Sequence, residues 1–131
     1  MQKIKQGVLL LMFVLTLAGC SVVNQSSDIG YKQISSQEAA QMMEEESDYI
    51  ILDVRTAQEY EGSHIKGAIN VPNESITEDN IAELPDKEQL ILVYCRSGNR
   101  SKQASKKLAD MGYTNIVEFG GINTWTGECE P

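Results

Sequence analysis

The chain is short of the residues that several common chemistries require. It has three cysteines and one histidine in 131 residues. Three cysteines are too few for a disulfide framework. They stand at positions 20, 95 and 129 without a Cys-x-x-Cys pair, which also argues against a structural zinc site. Cations are scarce too: 11 Lys and Arg stand against 19 Asp and Glu, for a formal net charge of −8. Nucleic-acid binding needs a basic surface, so that class of partner is excluded. The longest apolar run, Val8 to Leu17, is too short for a membrane span, which takes roughly 20 such residues. No internal repeat is present. What remains is an ordinary globular composition, 41% hydrophobic and 23% charged, at a length that fits one domain and an appendage.

The appendage is N-terminal. Lys3 and Lys5 precede the apolar run, as in an export signal. The run ends in Leu17-Ala18-Gly19-Cys20, which resembles the bacterial lipobox. That resemblance implies that residues 1–19 are removed, that the Cys20 sulfur carries diacylglycerol and that its new amine is acylated. More than one acyl chain gives stable anchoring. The polar stretch that follows, through residue 30, reads as a tether, leaving residues 31–131 as the domain. The expected location is extracytoplasmic, on the outer side of a bacterial membrane.

From residue 31 the pattern alternates between strand and helix. Strands are expected at Tyr31–Ile34, Tyr49–Val54, Ala68–Val71, Leu90–Tyr94 and Asn115–Phe119. Capping boxes at Ser35/Glu38 and Thr56/Glu59 open two helices. A weak helical pattern covers Ile76–Leu84. A longer helix runs from Arg100 to Met111, with Gly112 placed to end it, and a short one holds Trp125. The near-continuous apolar runs at 49–54 and 90–94 suit strands covered on both faces. The alternation predicts an α/β domain with a mainly parallel sheet.

Cys95 follows the strongest strand and precedes the longest helix. The segment between, Arg96-Ser97-Gly98-Asn99-Arg100, has no large apolar side chain. Ligands bind at the carboxyl ends of such strands, where loop N–H groups and a helix N-terminus converge on an anion. A cysteine there is expected as a thiolate nucleophile, favoured by the helix and by Arg96 and Arg100. No acid occurs between Glu88 and Asp110, while Arg96, Arg100, Lys102, Lys106 and Lys107 fall in that interval. The arginines are read as part of the site and the three lysines as a solvated helix face.

These residues resemble the rhodanese family over about residues 31–128. Cys95-Arg96-Ser97-Gly98-Asn99-Arg100 is similar to the family's active-site loop, Cys-Arg-x-Gly-x-Arg. Three further segments match in order: Leu52-Asp53-Val54-Arg55 with Glu59-Tyr60, His64 through Pro72, and Gly120-Gly121 with Trp125. The resemblance implies a three-layer fold, a central, mainly parallel five-stranded sheet with helices on both faces. It implies a sulfurtransferase that moves a sulfane sulfur from thiosulfate or a similar anionic donor, through a Cys95 persulfide, to cyanide or a thiol. Backbone N–H groups of the loop would cradle the persulfide, and Arg96 and Arg100 would hold the donor. No metal and no organic cofactor is implied. A phosphatase or arsenate reductase of related fold needs Cys-x5-Arg, one residue longer; here position 101 is serine.

Other candidates read as structural. Arg55 is expected to pair with Glu59, and Asp53 to accept loop N–H bonds, with Asp53 kept as a secondary site candidate. His64 is expected to bond a loop rather than act as a base. Cys129 reads as incidental beside a mobile C-terminus, the alternative being a redox partner for Cys95. A further alternative is a persulfide carrier or an anion-binding, partner-docking module with negligible turnover. A monomer is expected.

Overall fold

In a computed structural model, residues 29–77 and 80–131 are described; the signal segment, Cys20 and most of the tether lie outside them. Seven strands and three α-helices follow one another as β1 (Lys32–Gln33), α1 (Ser36–Glu45), β2 (Tyr49–Asp53), α2 (Ala57–Gly62), β3 (His64–Ile65), β4 (Ile69–Asn70), β5 (Leu90–Cys95), α3 (Asn99–Asp110), β6 (Ile116–Gly121) and β7 (Cys129–Glu130). Five of the strands form one sheet in the order β1-β6-β5-β2-β4, and every neighbouring pair is parallel. The expected α/β architecture is therefore present. The sequence pattern missed a small antiparallel pair, β3 with β7.

Strand alternation divides the core between the two faces of the sheet. Leu52, Val54, Ile91, Val93, Cys95 and Ile116 face one side, where Ala104 and Leu108 of α3 cover them. Ile51, Leu92, Tyr94, Val117 and Phe119 face the other, against Ala39 of α1. The helix ends follow local chemistry. Ser35 Oγ accepts the Glu38 N–H while the Glu38 carboxylate takes the Ser35 N–H, a complete capping box. Beyond the other end of α3, Gly112 N donates to Ala109 O and Tyr113 N to Leu108 O, with Gly112 at φ 96°: a Schellman closure.

Three expectations fail. No helix occupies the described part of 76–84. A 3-10 turn at Asn73–Ser75 precedes it, and Ile76, Ile81 and Leu84 enter the core from irregular chain. Backbone carbonyls there find other donors: Tyr113 Oη donates to Leu84 O at 2.6 Å, and Lys107 Nζ to Asn73 O at 2.9 Å. The C-terminal segment is also held in place. Cys129 and Glu130 pair with Ile65 and His64, and Lys66 N donates to Glu128 O. The last short helix, a 3-10 turn at Ile122–Thr124, stops just before Trp125, whose ring packs on Phe119.

Candidate active site

Cys95 is the last residue of β5, and α3 begins four residues later. Two glycines allow so short a link. Gly98 adopts φ 107°, a left-handed conformation open to glycine at little strain. Gly121, at the end of β6, lies under the loop so closely that a Cβ would stand 1.9 Å from Arg96 O. The Asn123 N–H then donates to that same carbonyl at 3.3 Å. The loop is thus set from below by β6 and from behind by α3.

This geometry aims donors at the sulfur. Gly98 N donates to Cys95 Sγ at 3.0 Å, and Ser101 Oγ lies 3.4 Å from Sγ. Burial, the largest influence, pushes the thiol's pKa up, since Cys95 is 1% exposed. The Ser101 hydroxyl and the backbone N–H groups of Ser101, Gly98 and Ser97 oppose it and prevail, so the net displacement is downward. Thiolate character here comes chiefly from hydrogen bonds, with Arg100 acting only at a distance.

The arginines have different positions. Arg100 forms a two-pronged pair with Glu59 of α2, Nη1 to Oε1 at 2.7 Å and Nη2 to Oε2 at 3.0 Å. That contact, chiefly its hydrogen bonding, holds the Glu59 carboxyl down to about 2. It also corrects two expectations. Glu59 pairs with Arg100 instead of Arg55, and the cap at Thr56 is made through the threonine side chain, with Glu59 N donating to Thr56 Oγ1 and Thr56 Oγ1 donating to Glu59 Oε1 at 3.2 Å. Arg96 is exposed at the loop and forms no ion pair among the described residues. Ser97 and Asn99 are exposed beside it. Of the three lysines, Lys106 pairs with Asp110 and Lys107 clamps Asn73 through its carbonyl and Oδ1, while Lys102 is exposed.

Asp53 and Arg55 do not join Cys95. Asp53, one residue along β2 from Leu52 and Val54, faces the opposite side of the sheet. There its carboxylate receives Arg55 Nη2 at 2.6 Å, Arg55 Nε at 3.0 Å and Tyr94 Oη at 2.7 Å. Tyr94 Oη in turn accepts the Ile65 N–H, and Arg55 donates to Ser63 O. Burial, with the Asp53 carboxylate, drives the Tyr94 phenol's pKa upward. The cluster ties β2, β5 and β3 together beneath the layer of α1 and α2. His64 is likewise structural. It stacks on Tyr60 at 3.8 Å, its Nδ1 meets Tyr60 O at 2.9 Å, and its Nε2 stands 3.5 Å from Glu130. Its partners are α2 and β7 rather than a loop. Cys129 is exposed on β7, and both it and Cys95 are free thiols.

Two residues at the site were overlooked in the sequence. Ser101, fully buried in the first turn of α3, touches Sγ. Glu118, 2% exposed on β6, accepts the Ser101 hydroxyl at 2.7 Å and the Gly120 N–H at 2.7 Å. A signal existed for Glu118: it is the one acid within the apolar strand Ile116-Val117-Glu118-Phe119. Ser101 carried none beyond its place next to the loop.

Comparison with known proteins finds relatives of the domain. The profile of the family described as Rhodanese-like domain matches residues 35–128. The chain is 39% identical over 71 residues to the thiosulfate sulfurtransferase PspE of Escherichia coli, covering 54% of this chain and 68% of that one. It is 35% identical over 96 residues to the thiosulfate sulfurtransferase GlpE of Coxiella burnetii, covering 72% and 87%. Among solved structures, a rhodanese with anions from E. coli superposes with a TM-score of 0.57 at 35% identity, over 63% of this chain and 96% of that one.

Proposed function

The chain belongs to the rhodanese-like domain family, and from that premise we propose that it is a thiosulfate-type sulfurtransferase acting through a Cys95 persulfide. The observation that carries this reading is the buried Cys95 sulfur, which accepts the Gly98 N–H and lies against the Ser101 hydroxyl, to which the thiol donates. Such a cradle stabilises an anionic sulfur before and after transfer. The Cys95 thiolate attacks the outer sulfur of a small anionic donor, sulfite leaves, and cyanide or a thiol then removes the sulfane sulfur. Arg96, exposed and without an ion pair among the described residues, is the cation proposed to meet the donor. Arg100, bound to Glu59, fixes the wall of the site and adds its charge at a distance.

Two features speak against phosphate chemistry. The loop is one residue shorter than a phosphatase loop. Where the longer loop would place its arginine, this chain has Ser101 bonded to a carboxylate, which repels a tetrahedral dianion.

The decisive assay is thiocyanate formation from thiosulfate and cyanide. Cys95→Ser should abolish it while the protein stays folded; undiminished turnover in that variant would sink the reading. Mass spectrometry after thiosulfate treatment separates enzyme from carrier, because a persulfide that forms but passes to no acceptor marks a carrier. The Cys20 motif supports the further proposal that the domain is lipid-anchored outside the cytoplasm. Fatty-acid labelling lost in Cys20→Ala tests it, and equal labelling in both forms would refute it.

A further inference from the structure

Cys95 must lose a proton, and no histidine is there to take it. His64 is held between Tyr60 and Glu130, and the guanidinium groups of Arg96 and Arg100 cannot accept a proton. A carboxylate does stand within reach. Glu118 lies on the α3 side of the sheet, buried, and no cation pairs with it among the described residues. Burying a carboxylate without a counter-ion is costly even when Ser101 and Gly120 donate to it, and packing alone does not call for one in this strand. Its Oε1 is 2.7 Å from Ser101 Oγ, and Ser101 Oγ is 3.4 Å from Cys95 Sγ with the thiol as donor. Three elements, β5, α3 and β6, therefore bring nucleophile, hydroxyl and carboxylate into one line.

We propose that Cys95, Ser101 and Glu118 form a proton relay in which the thiol proton passes to Ser101 Oγ as the Ser101 hydroxyl proton passes to Glu118 Oε1. The inference rests on the sulfur-transfer reading. In that reaction Cys95 Sγ bonds to the outer sulfur of thiosulfate, the donor's S–S bond breaks, and sulfite leaves with its electron pair. Thiol, carboxylate and thiosulfate dianion become persulfide anion, carboxylic acid and sulfite dianion, so protons and charge balance. When the acceptor removes the outer sulfur, Cys95 is left as a thiolate beside protonated Glu118, and the relay runs backward to restore the resting state. Ser101 touches the reacting sulfur and is the catalytic hydroxyl. Glu118 acts through it and is a positioning residue.

The surroundings favour one shared proton. Sulfur and carboxylate lie on the same buried hydroxyl, so a proton given up at one end of the line is received at the other. From α3, Arg100 is felt by Cys95 but is matched by Glu59 of α2. Arg96 and Lys102 are exposed to solvent. Gln33 of β1 and Val93 of β5, in register with Glu118, are uncharged, and Val117 and Phe119 turn to the α1 layer.

The test is the pH dependence of two rates in the full chain: thiocyanate formation, and alkylation of Cys95 by iodoacetamide read on the Cys95 peptide. In the wild type the relay assists ionisation of the thiol, and the acid limb of both rates marks where that assistance is lost. In Glu118→Gln, an isosteric change, the thiol must ionise unaided, and the limb should move up by about one pH unit or more. Ser101→Ala should also move it up and provides the test if Glu118→Gln does not fold. The double variant should move it no further than the larger single shift. A purely structural Glu118 would lower the rates by one factor at every pH and leave the limb in place. A downward shift would show that the carboxylate only opposes the thiolate; either result overturns the relay. Alkylation needs no sulfur transfer. A shifted alkylation limb without thiocyanate formation therefore keeps the relay and refutes the function, whereas thiocyanate formation with an unmoved limb does the reverse.

Discussion

Gly121→Ala tests whether the end of β6 sets the reactive loop. A Cβ at that position would stand 1.9 Å from Arg96 O, 2.3 Å from Arg96 C and 2.6 Å from Ser97 N. All three are backbone atoms, so no side-chain rotation relieves the overlap. Reaching ordinary contact requires the Arg96–Ser97 peptide to retreat by about 1 Å or more. That peptide leads into Gly98, whose N–H meets Sγ at 3.0 Å. Retreat on this scale takes the donor out of hydrogen-bonding range. A misplacement of about 1 Å lowers a catalytic rate about 10²-fold, and kcat/KM for thiocyanate formation should fall at least that far. Overpacking should cost about 1–3 kcal/mol, read from the urea midpoint. Gly62→Ala is the control. It lies in α2 with nothing within 4 Å of the new Cβ, and should leave turnover unchanged while adding about 0.5–1 kcal/mol of stability. Turnover in Gly121→Ala within about threefold of the wild type, at an unchanged urea midpoint, would refute the coupling of β6 to the loop.

Three further outcomes are expected. Glu59→Gln removes a carboxyl whose folded pKa is about 2, below its unfolded value; the stabilisation is complete above about pH 4.5 and is lost as pH falls toward 2. Allowing for solvent screening of a pair exposed to roughly a third, the wild type should exceed the variant by about 1 kcal/mol at pH 6, with the gap closing in acid denaturation series toward pH 2. Tyr94→Phe leaves the buried Ile65 N–H without its acceptor and removes one donor from Asp53, so it should destabilise by about 1–3 kcal/mol in urea. Its sulfur transfer should persist, because Tyr94 faces away from Cys95. Cys129→Ser should leave thiocyanate formation intact, and non-reducing peptide maps of the oxidised wild type should show no Cys95–Cys129 link, since Cys95 is buried and Cys129 exposed.

The fold was legible where burial leaves a periodic trace. The runs at 49–53 and 90–95 are apolar at almost every position because both faces are covered, and both became central strands. The helix ends were legible because Ser35 with Glu38, and Gly112, are local signals. Segment 76–84 misled because Ile76, Ile81 and Leu84 are buried by tertiary contact without a helix to space them. The β3–β7 pair left no pattern, being two residues long on each side. The site divides in the same way. Cys95 and its glycine were readable from loop composition. The roles of the charged groups were not, because pairing depends on three-dimensional neighbours: Arg100 found Glu59, Arg55 found Asp53, and Ser101 found Glu118 across 17 positions of sequence.

Those pairings bear on what the loop accepts. Behind the sulfur lies Glu118, and beside the loop Glu59 neutralises Arg100, so of the two arginines next to Cys95 only Arg96, at the rim, is without an ion pair among the described residues. A phosphate ester would bring a full tetrahedral dianion down to Cys95, toward a buried carboxylate and away from the free guanidinium. Thiosulfate divides its demands differently. In the proposed reaction its outer sulfur is the atom attacked, and its sulfonate end would remain at the loop mouth, where Arg96 can meet it. A narrow loop backed by an acid therefore favours a donor that presents one atom to the nucleophile and keeps most of its charge outside.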